Sequence, residues 1–169
     1  MRRFFILSLL ILAVTAAFVF PAVAQETNTA GCIHVYDATG QYLGILVERG
    51  KMQDEAVVFI PGIGKFTTIK QTTGEIEATN LTFDSEGCVG VPYFAGGVDF
   101  IRKCGGKYYL GGSMARNIPR VSTQLTSGEC LQWSPVYDKL TEMFEASEIA
   151  ESYIPFTLPV ALPLHYEYQ

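Results

Sequence analysis

The run YIPFTLPVALPLHYEY, residues 153–168, constrains this chain more than any other stretch. Ile154, Phe156, Leu158, Val160, Leu162, Leu164 and Tyr166 fall at every even position, and Pro155, Pro159 and Pro163 fall at odd ones. Interior prolines exclude an α-helix, because each removes an N–H donor and clashes with the preceding turn. Period-two alternation marks an extended segment with one apolar face. Alternate residues of a strand aim their N–H groups at opposite lateral neighbours, so prolines of one parity delete donors along one side only. The segment therefore reads as an edge strand, apolar face inward, with its free side blunted against a further chain. It is longer than ordinary strands, so it must bend or change sheets.

The preceding residues repeat the theme in shorter units. CIHVY, the turn DATG and QYLGILVE predict a hairpin with its corner at Thr39-Gly40. Asp at the start of a tight turn caps backbone N–H groups, and Gly takes the positive φ that other residues resist. AVVFI, residues 56–60, is apolar on both faces and reads as a central strand stopped by Pro61-Gly62. FTTIK, QTTG and EIEATNLTF predict a second hairpin. Within it Ile76 and Ala78 share one parity while Leu81 and Phe83 share the other, which predicts a β-bulge near Thr79-Asn80. VDFIRK, Cys104-Gly105-Gly106 and KYYLGG predict a third hairpin. Strands spaced this evenly, without intervening helices, indicate an all-β fold, an antiparallel sandwich or a partly open barrel. Near 136–149 a short helix is expected, since Val136, Leu140, Met143, Phe144 and Ser147 fit a helical stripe, with an irregular strand as the alternative.

The amino terminus carries a different message. Arg2 and Arg3 precede an apolar run from Phe4 to Phe20, which ends at Ala22-Val23-Ala24. A basic start, an apolar middle and small residues at −3 and −1 describe a secretory signal peptide cut after Ala24. The run is close to the shortest that spans a bilayer, and the A-x-A site decides against an uncleaved anchor. Cys32 lies well past the apolar run with Thr29 at −3, which argues against a lipid anchor. The expected organisation is a signal peptide (1–24), a polar leader (25–31) and one disulfide-containing β domain (32–169), located in the periplasm or outside the cell. Losing Arg2 and Arg3 moves the net charge from −5 to −7. An acidic surface without a Lys/Arg cluster argues against nucleic acid and anionic membranes as partners. No stable membrane insertion is expected once the signal is removed.

Cys32, Cys88, Cys104 and Cys130 all survive cleavage. An even count in an exported chain reads as two disulfides, and four cysteines leave three connectivities open. The closest two, Cys88 and Cys104, lie 16 residues apart, so there is no C-x-x-C redox or zinc knuckle.

Reactive chemistry is thinly represented. Asp-x-x-Gly occurs twice, at Asp37 and Asp84, each time ending a β run. A calcium loop needs six to eight oxygens in a D-x-[DN]-x-[DN]-G register, which neither turn supplies. A phosphate cradle needs clustered glycines ahead of a helix, again missing. His34 and His165 would meet if their strands paired, and a metal site with Asp37 or Glu167 is conceivable, but the ligand spacing is absent. Ser113 in GGSMAR follows glycines without the strand-turn-helix context of a nucleophile elbow. Trp133, Tyr93, Phe94, Tyr108 and Tyr109 could line a sugar or protein contact, against the plainer reading that they are core and cross-strand packing.

VYDATGQYLG, FDSEGCVGVPYF and IPFTLPVALPLHYEY together resemble a group of uncharacterised exported bacterial proteins. Their order is a D-x-x-G hairpin, an uninterrupted apolar strand, a D-x-x-C-x-G turn and a proline-punctuated closing strand; here Glu86-Gly87 precede the cysteine of the middle motif. The resemblance implies an exported β fold and brings no activity, cofactor or catalytic residue. The chain thus reads as an exported, non-catalytic binding or surface-interaction module with a protein or carbohydrate partner and no metal or cofactor. The alternatives are a hydrolase using two acidic residues and a secreted inhibitor-type protein.

Overall fold

The computed structural model describes residues 31–49, 54–115, 117–133, 139–140 and 142–169. The expected signal peptide and all of the polar leader except Gly31 lie outside the described residues. In chain order the strands are β1 (Ile33–Tyr36), β2 (Tyr42–Arg49), β3 (Glu55–Ile60), β4 (Lys65–Lys70), β5 (Leu81–Phe83) and β6 (Tyr93–Phe94). There follow β7 (Phe100–Cys104), β8 (Lys107–Ala115), β9 (Ile118–Pro119), β10 (Ser122–Gln124) and β11 (Cys130–Gln132). The last three are β12 (Lys139–Leu140), β13 (Met143–Ile149) and β14 (His165–Tyr168). Among the described residues, twelve strands form one sheet in the order β11-β10-β5-β6-β13-β8-β7-β4-β3-β2-β1-β14, and β9 and β12 form a separate pair. The chain is all-β, and this sheet is not closed into a barrel.

The three hairpins form where turn chemistry places them. β1 and β2 meet across DATG, and β7 and β8 across Gly105-Gly106, whose φ values of +55° and +80° suit a two-residue turn that only glycines enter freely. Ile69 bridges to Ile76 across QTTG. The expectation of purely antiparallel pairing fails at one place: β4 and β7 pair in parallel, Phe66 opposite Phe100 and Thr67 opposite Ile101. The long connection between them, which contains β5 and β6, makes the crossover that a parallel pair requires.

Three further expectations need correction. The helix near 136–149 is replaced by strand: β13 pairs with β8 from Met143 to Ile149 and with β6 at Phe144 and Glu145, while 134–138 and 141 lie outside the described residues. A bulge between Phe144 and Ala146 shifts the parity of β13, so Met143 and Ala146 are both buried although three apart. Of the expected helical stripe, Met143 is buried, Phe144 half-buried and Ser147 exposed. The bulge expected near Thr79-Asn80 is instead a strand break. Ile76 sits beside β4 and Ala78 bridges Lys103, whereas Leu81 pairs with Gln124 at the far side of the sheet. Ala78 is exposed, so its parity was never constrained by a core.

The C-terminal run is not one long strand. Only β14 joins the sheet, as the edge strand beside β1; residues 154–164 run as an irregular strap with cis bonds at Leu158–Pro159 and Leu162–Pro163. The inward parity nevertheless holds. Ile154, Phe156, Val160 and Leu164 are buried, Leu158, Leu162 and Tyr166 are half-buried, and the three prolines are exposed.

The strap covers one face of the sheet. There Val35, Leu43, Ala56, Val58, Ile60, Ile69, Ile76, Ile101 and Tyr108 pack with it into the larger core. A second core of Leu81, Phe83, Phe94, Cys104, Tyr109 and Ala146 lies on the other face. Tyr108 and Tyr109 are consecutive in β8 and enter different cores, as strand alternation demands. AVVFI is central in the sheet, with Ala56, Val58 and Ile60 buried on one face and Val57 and Phe59 half-buried on the other.

Candidate functional site

The DATG corner is built by its aspartate. Asp37 Oδ1 accepts hydrogen bonds from the Thr39 amide (2.8 Å), the Thr39 hydroxyl (2.7 Å) and the Gln41 amide (2.9 Å), and Oδ2 accepts one from the Ala161 amide (3.3 Å). The side chain is sealed by these neighbours although the turn itself is at the surface. Burial alone would raise its pKa, but the donors on Thr39, Gln41 and Ala161 outweigh that and hold it below its ordinary value. With both oxygens turned onto protein donors, Asp37 acts as a turn residue that also fastens the strap.

Around this corner the outward faces of β1, β2 and β14 converge. His34 is opposite Glu167 and Tyr36 opposite His165, so the strands carrying the two histidines do pair. His34, Tyr36, His165 and Glu167 therefore share one face, since directly opposed residues point the same way. Tyr42 joins them from β2, its ring 5.5 Å from His34 in a stacked arrangement and 5.4 Å from Tyr36. Burial first, then the neighbouring Tyr36 and Cys32, push the Tyr42 hydroxyl above its ordinary pKa. A hollow of about 420 Å³ adjoins this stack, lined by Tyr36, Asp37, Thr39, Gly40, His165 and Glu167.

The same face continues across the sheet. Ile45 is opposite His34 and Phe59, Phe59 is opposite Phe66, and Phe66 is opposite Phe100. The Phe59, Phe66 and Phe100 rings lie 5.0 and 5.4 Å apart in succession, and Arg102 caps the series 4.9 Å from the Phe100 ring. None of these rings is buried, and Tyr42 is 40 % exposed. On this face Arg102 is paired with Glu77, and Glu167 stands opposite His34. The Lys65–Asp99 pair at 2.5 Å belongs to the strap side, since Lys65 is opposite the core residue Ile60. The ribbon thus offers ring surface, a few hydrogen-bonding groups and, at one end, the exposed carboxylate of Glu167. Among the described residues no three His, Cys, Asp or Glu side chains are grouped to hold one metal ion.

The aromatic set singled out in the sequence is scattered. Tyr93, Tyr108 and Tyr109 are each 7 % exposed and Phe94 is fully buried; Tyr108 enters the larger core, and Phe94 and Tyr109 enter the second. Trp133 stays 39 % exposed beside β11, donating its indole N–H to Thr123 at 2.9 Å with the Arg120 guanidinium 3.8 Å over its ring. Ser113 donates to Glu145 at 3.4 Å. Asp84 is exposed, and its turn is fastened by Ser122, whose hydroxyl donates to Ser85 O at 2.6 Å and accepts from the Cys88 amide at 3.0 Å. As for carboxylate pairs, Glu75 and Glu151 line one cavity of about 230 Å³, with Glu75 held by Lys103 at 3.0 Å. The ribbon of Tyr36, Tyr42, Phe59, Phe66 and Phe100 escaped sequence reasoning because its members come from five strands. Its only local trace is an aromatic at the solvent parity of each strand.

The cysteines also need correction. Cys88 and Cys130 are bonded, but Cys32 and Cys104 are free. Cys32 borders β1 and Cys104 ends β7, four steps apart in the sheet, or about 19 Å at ordinary strand spacing. A disulfide closes only when the Cα atoms are within about 7 Å. No helix among the described residues is long and apolar enough to cross a membrane.

Comparison with family models, curated proteins and solved structures finds no match for this chain.

Proposed function

We propose that this protein is an exported, non-catalytic binding module that holds an uncharged carbohydrate chain on the aromatic face of β1, β2 and β14. The single observation behind this reading is the stack of His34, Tyr42 and Tyr36 beside a hollow edged by His165 and Glu167. A sugar ring has apolar C–H faces that lie against aromatic rings and hydroxyls that need nearby donors and acceptors. Rings supply contact area at small entropic loss, and a few placed polar groups supply orientation. The pairing of Arg102 with Glu77 and the exposed Glu167 carboxylate favour a neutral chain over an anionic one. Export rests on the amino-terminal pattern and is consistent with the Cys88–Cys130 bond.

The test is a panel of neutral oligosaccharides presented to the mature chain, followed by calorimetry on any that bind. Tyr42→Ala is expected to weaken binding about tenfold or more while leaving the melting temperature within a few degrees, since truncating an anchoring aromatic removes about 1.4 kcal/mol or more. Val89→Ala, also exposed but away from the stack, should bind like the wild type. Equal binding by Tyr42→Ala, or no binding across the panel, would refute the reading.

A further inference from the structure

We propose that the cavity beneath the C-terminal strap, floored by Tyr108 and walled by Glu75, Lys103 and Glu151, is a second binding site, for a small primary ammonium ion. It opens on the sheet face opposite the aromatic ribbon, because Tyr108 belongs to the core that the strap covers. The inference is therefore independent of the carbohydrate reading.

Three features built into the fold carry it. The first is the enclosure. The QTTG turn and the strap clasp each other through the Val160 amide, which donates to Gly74 O at 2.9 Å, and Leu158 and Pro159 form an apolar wall. The space, about 230 Å³, equals about eight water volumes, enough for an amine with a short alkyl stem and too small for a larger ligand. The second is Tyr108 itself. It is only 7 % exposed, yet its hydroxyl has no hydrogen-bond partner among the described residues. It is not walled in either; the sole described side-chain atom both sealed and unpaired is the Tyr166 hydroxyl. A buried hydroxyl left open to a cavity wants a polar occupant.

The third is charge. Two carboxylates and one ammonium surround the space, so an occupant bearing one positive charge balances it. Lys103 lies 3.0 Å from Glu75 Oε1, which leaves the Glu151 carboxylate and the second Glu75 oxygen as acceptors. Burial first raises the pKa of Tyr108; Lys103 opposes this, and Glu151 and Glu75 add to it, so all three charges act on that hydroxyl. The phenol thus stays protonated, and its lone pairs accept from a cation. A primary ammonium has three donors for Glu151, Glu75 and Tyr108, with its alkyl stem against Leu158 and Pro159. A quaternary ammonium has no such donors, and an anion meets the net negative wall.

The experiment is an NMR titration of the mature protein at neutral pH with n-butylammonium, with n-butanol and butyrate as uncharged and anionic counterparts. A blocked lysine derivative in parallel distinguishes a free amine from a protein side chain as the natural source. Saturable shifts at Gly106, Tyr108 and Leu158 are expected with butylammonium and not with butanol or butyrate. Glu151→Gln, on an exposed turn where folding is not at stake, should weaken binding about tenfold. Tyr108→Phe, which keeps the ring, should weaken it several-fold. The proposal fails if butylammonium gives no saturable shifts, if butanol matches it, or if Glu151→Gln binds unchanged.

Discussion

Asp37 shows how a residue that resembles a ligand can be wholly engaged by the fold. Its four hydrogen bonds join the β1–β2 turn to the strap at Ala161, so Asp37→Ala should destabilise the protein by about 2–3 kcal/mol in urea unfolding, through orphaned amides. The pH dependence has a definite sign. The folded-state pKa lies below the ordinary 3.8, so the carboxylate's stabilisation is present above 3.8 and is lost as pH falls through the folded value. The stability gap between wild type and Asp37→Asn should therefore be widest near neutral pH and shrink below 3.8. A gap that stays constant into strong acid would show that these hydrogen bonds do not favour the ionised form. The free cysteines make a second residue-scale test. Burial raises the Cys104 thiol's pKa and outweighs a backbone hydrogen bond at Leu81, while Cys32 is half-buried. Thiol titration without reductant should find Cys32 reacting in the native protein and Cys104 only after unfolding. Two further thiols in the denatured chain would mean that Cys88 and Cys130 are not bonded.

At the scale of elements, the strap is the unusual part. It contributes Ile154, Phe156, Val160 and Leu164 to the larger core while offering the sheet few hydrogen bonds before β14. Its seat on the QTTG turn depends on Gly74, where φ is +72° and a Cβ would lie 2.1 Å from Val160 O. Gly74→Ala should cost about 3 kcal/mol, combining a left-handed backbone with a displaced carbonyl, and should expose the strap to proteolysis. Cleavage no faster than wild type would show that the turn does not hold the strap. The elements also show what local pattern can miss. The turns at DATG, QTTG and Cys104-Gly105-Gly106 were legible because turn residues act over four positions. The bulge in β13 and the break at Thr79-Asn80 were not, because each is set by which strand lies alongside.

At the scale of the molecule, one covalent link secures the end of the sheet. Cys88–Cys130 joins the turn after β5 to β11, the terminal strand, across 42 residues. Removing it as Cys88→Ser/Cys130→Ser should cost about 4 kcal/mol by loop-closure entropy, read as a melting temperature lower by about 10 °C. A change of a degree or two would mean that β10 and β11 are held by their ladders alone. Sequence by itself determined the all-β class, the hairpin corners, the inward parity of residues 154–164 and the role of Asp37, since these follow from proline, glycine and alternation over a few neighbouring positions. Tertiary structure alone decided the strand order, the parallel β4–β7 pair, the single disulfide and both candidate sites. Those depend on distances between residues far apart in the chain, and a strand's sequence states which face is apolar without stating which strand lies beside it.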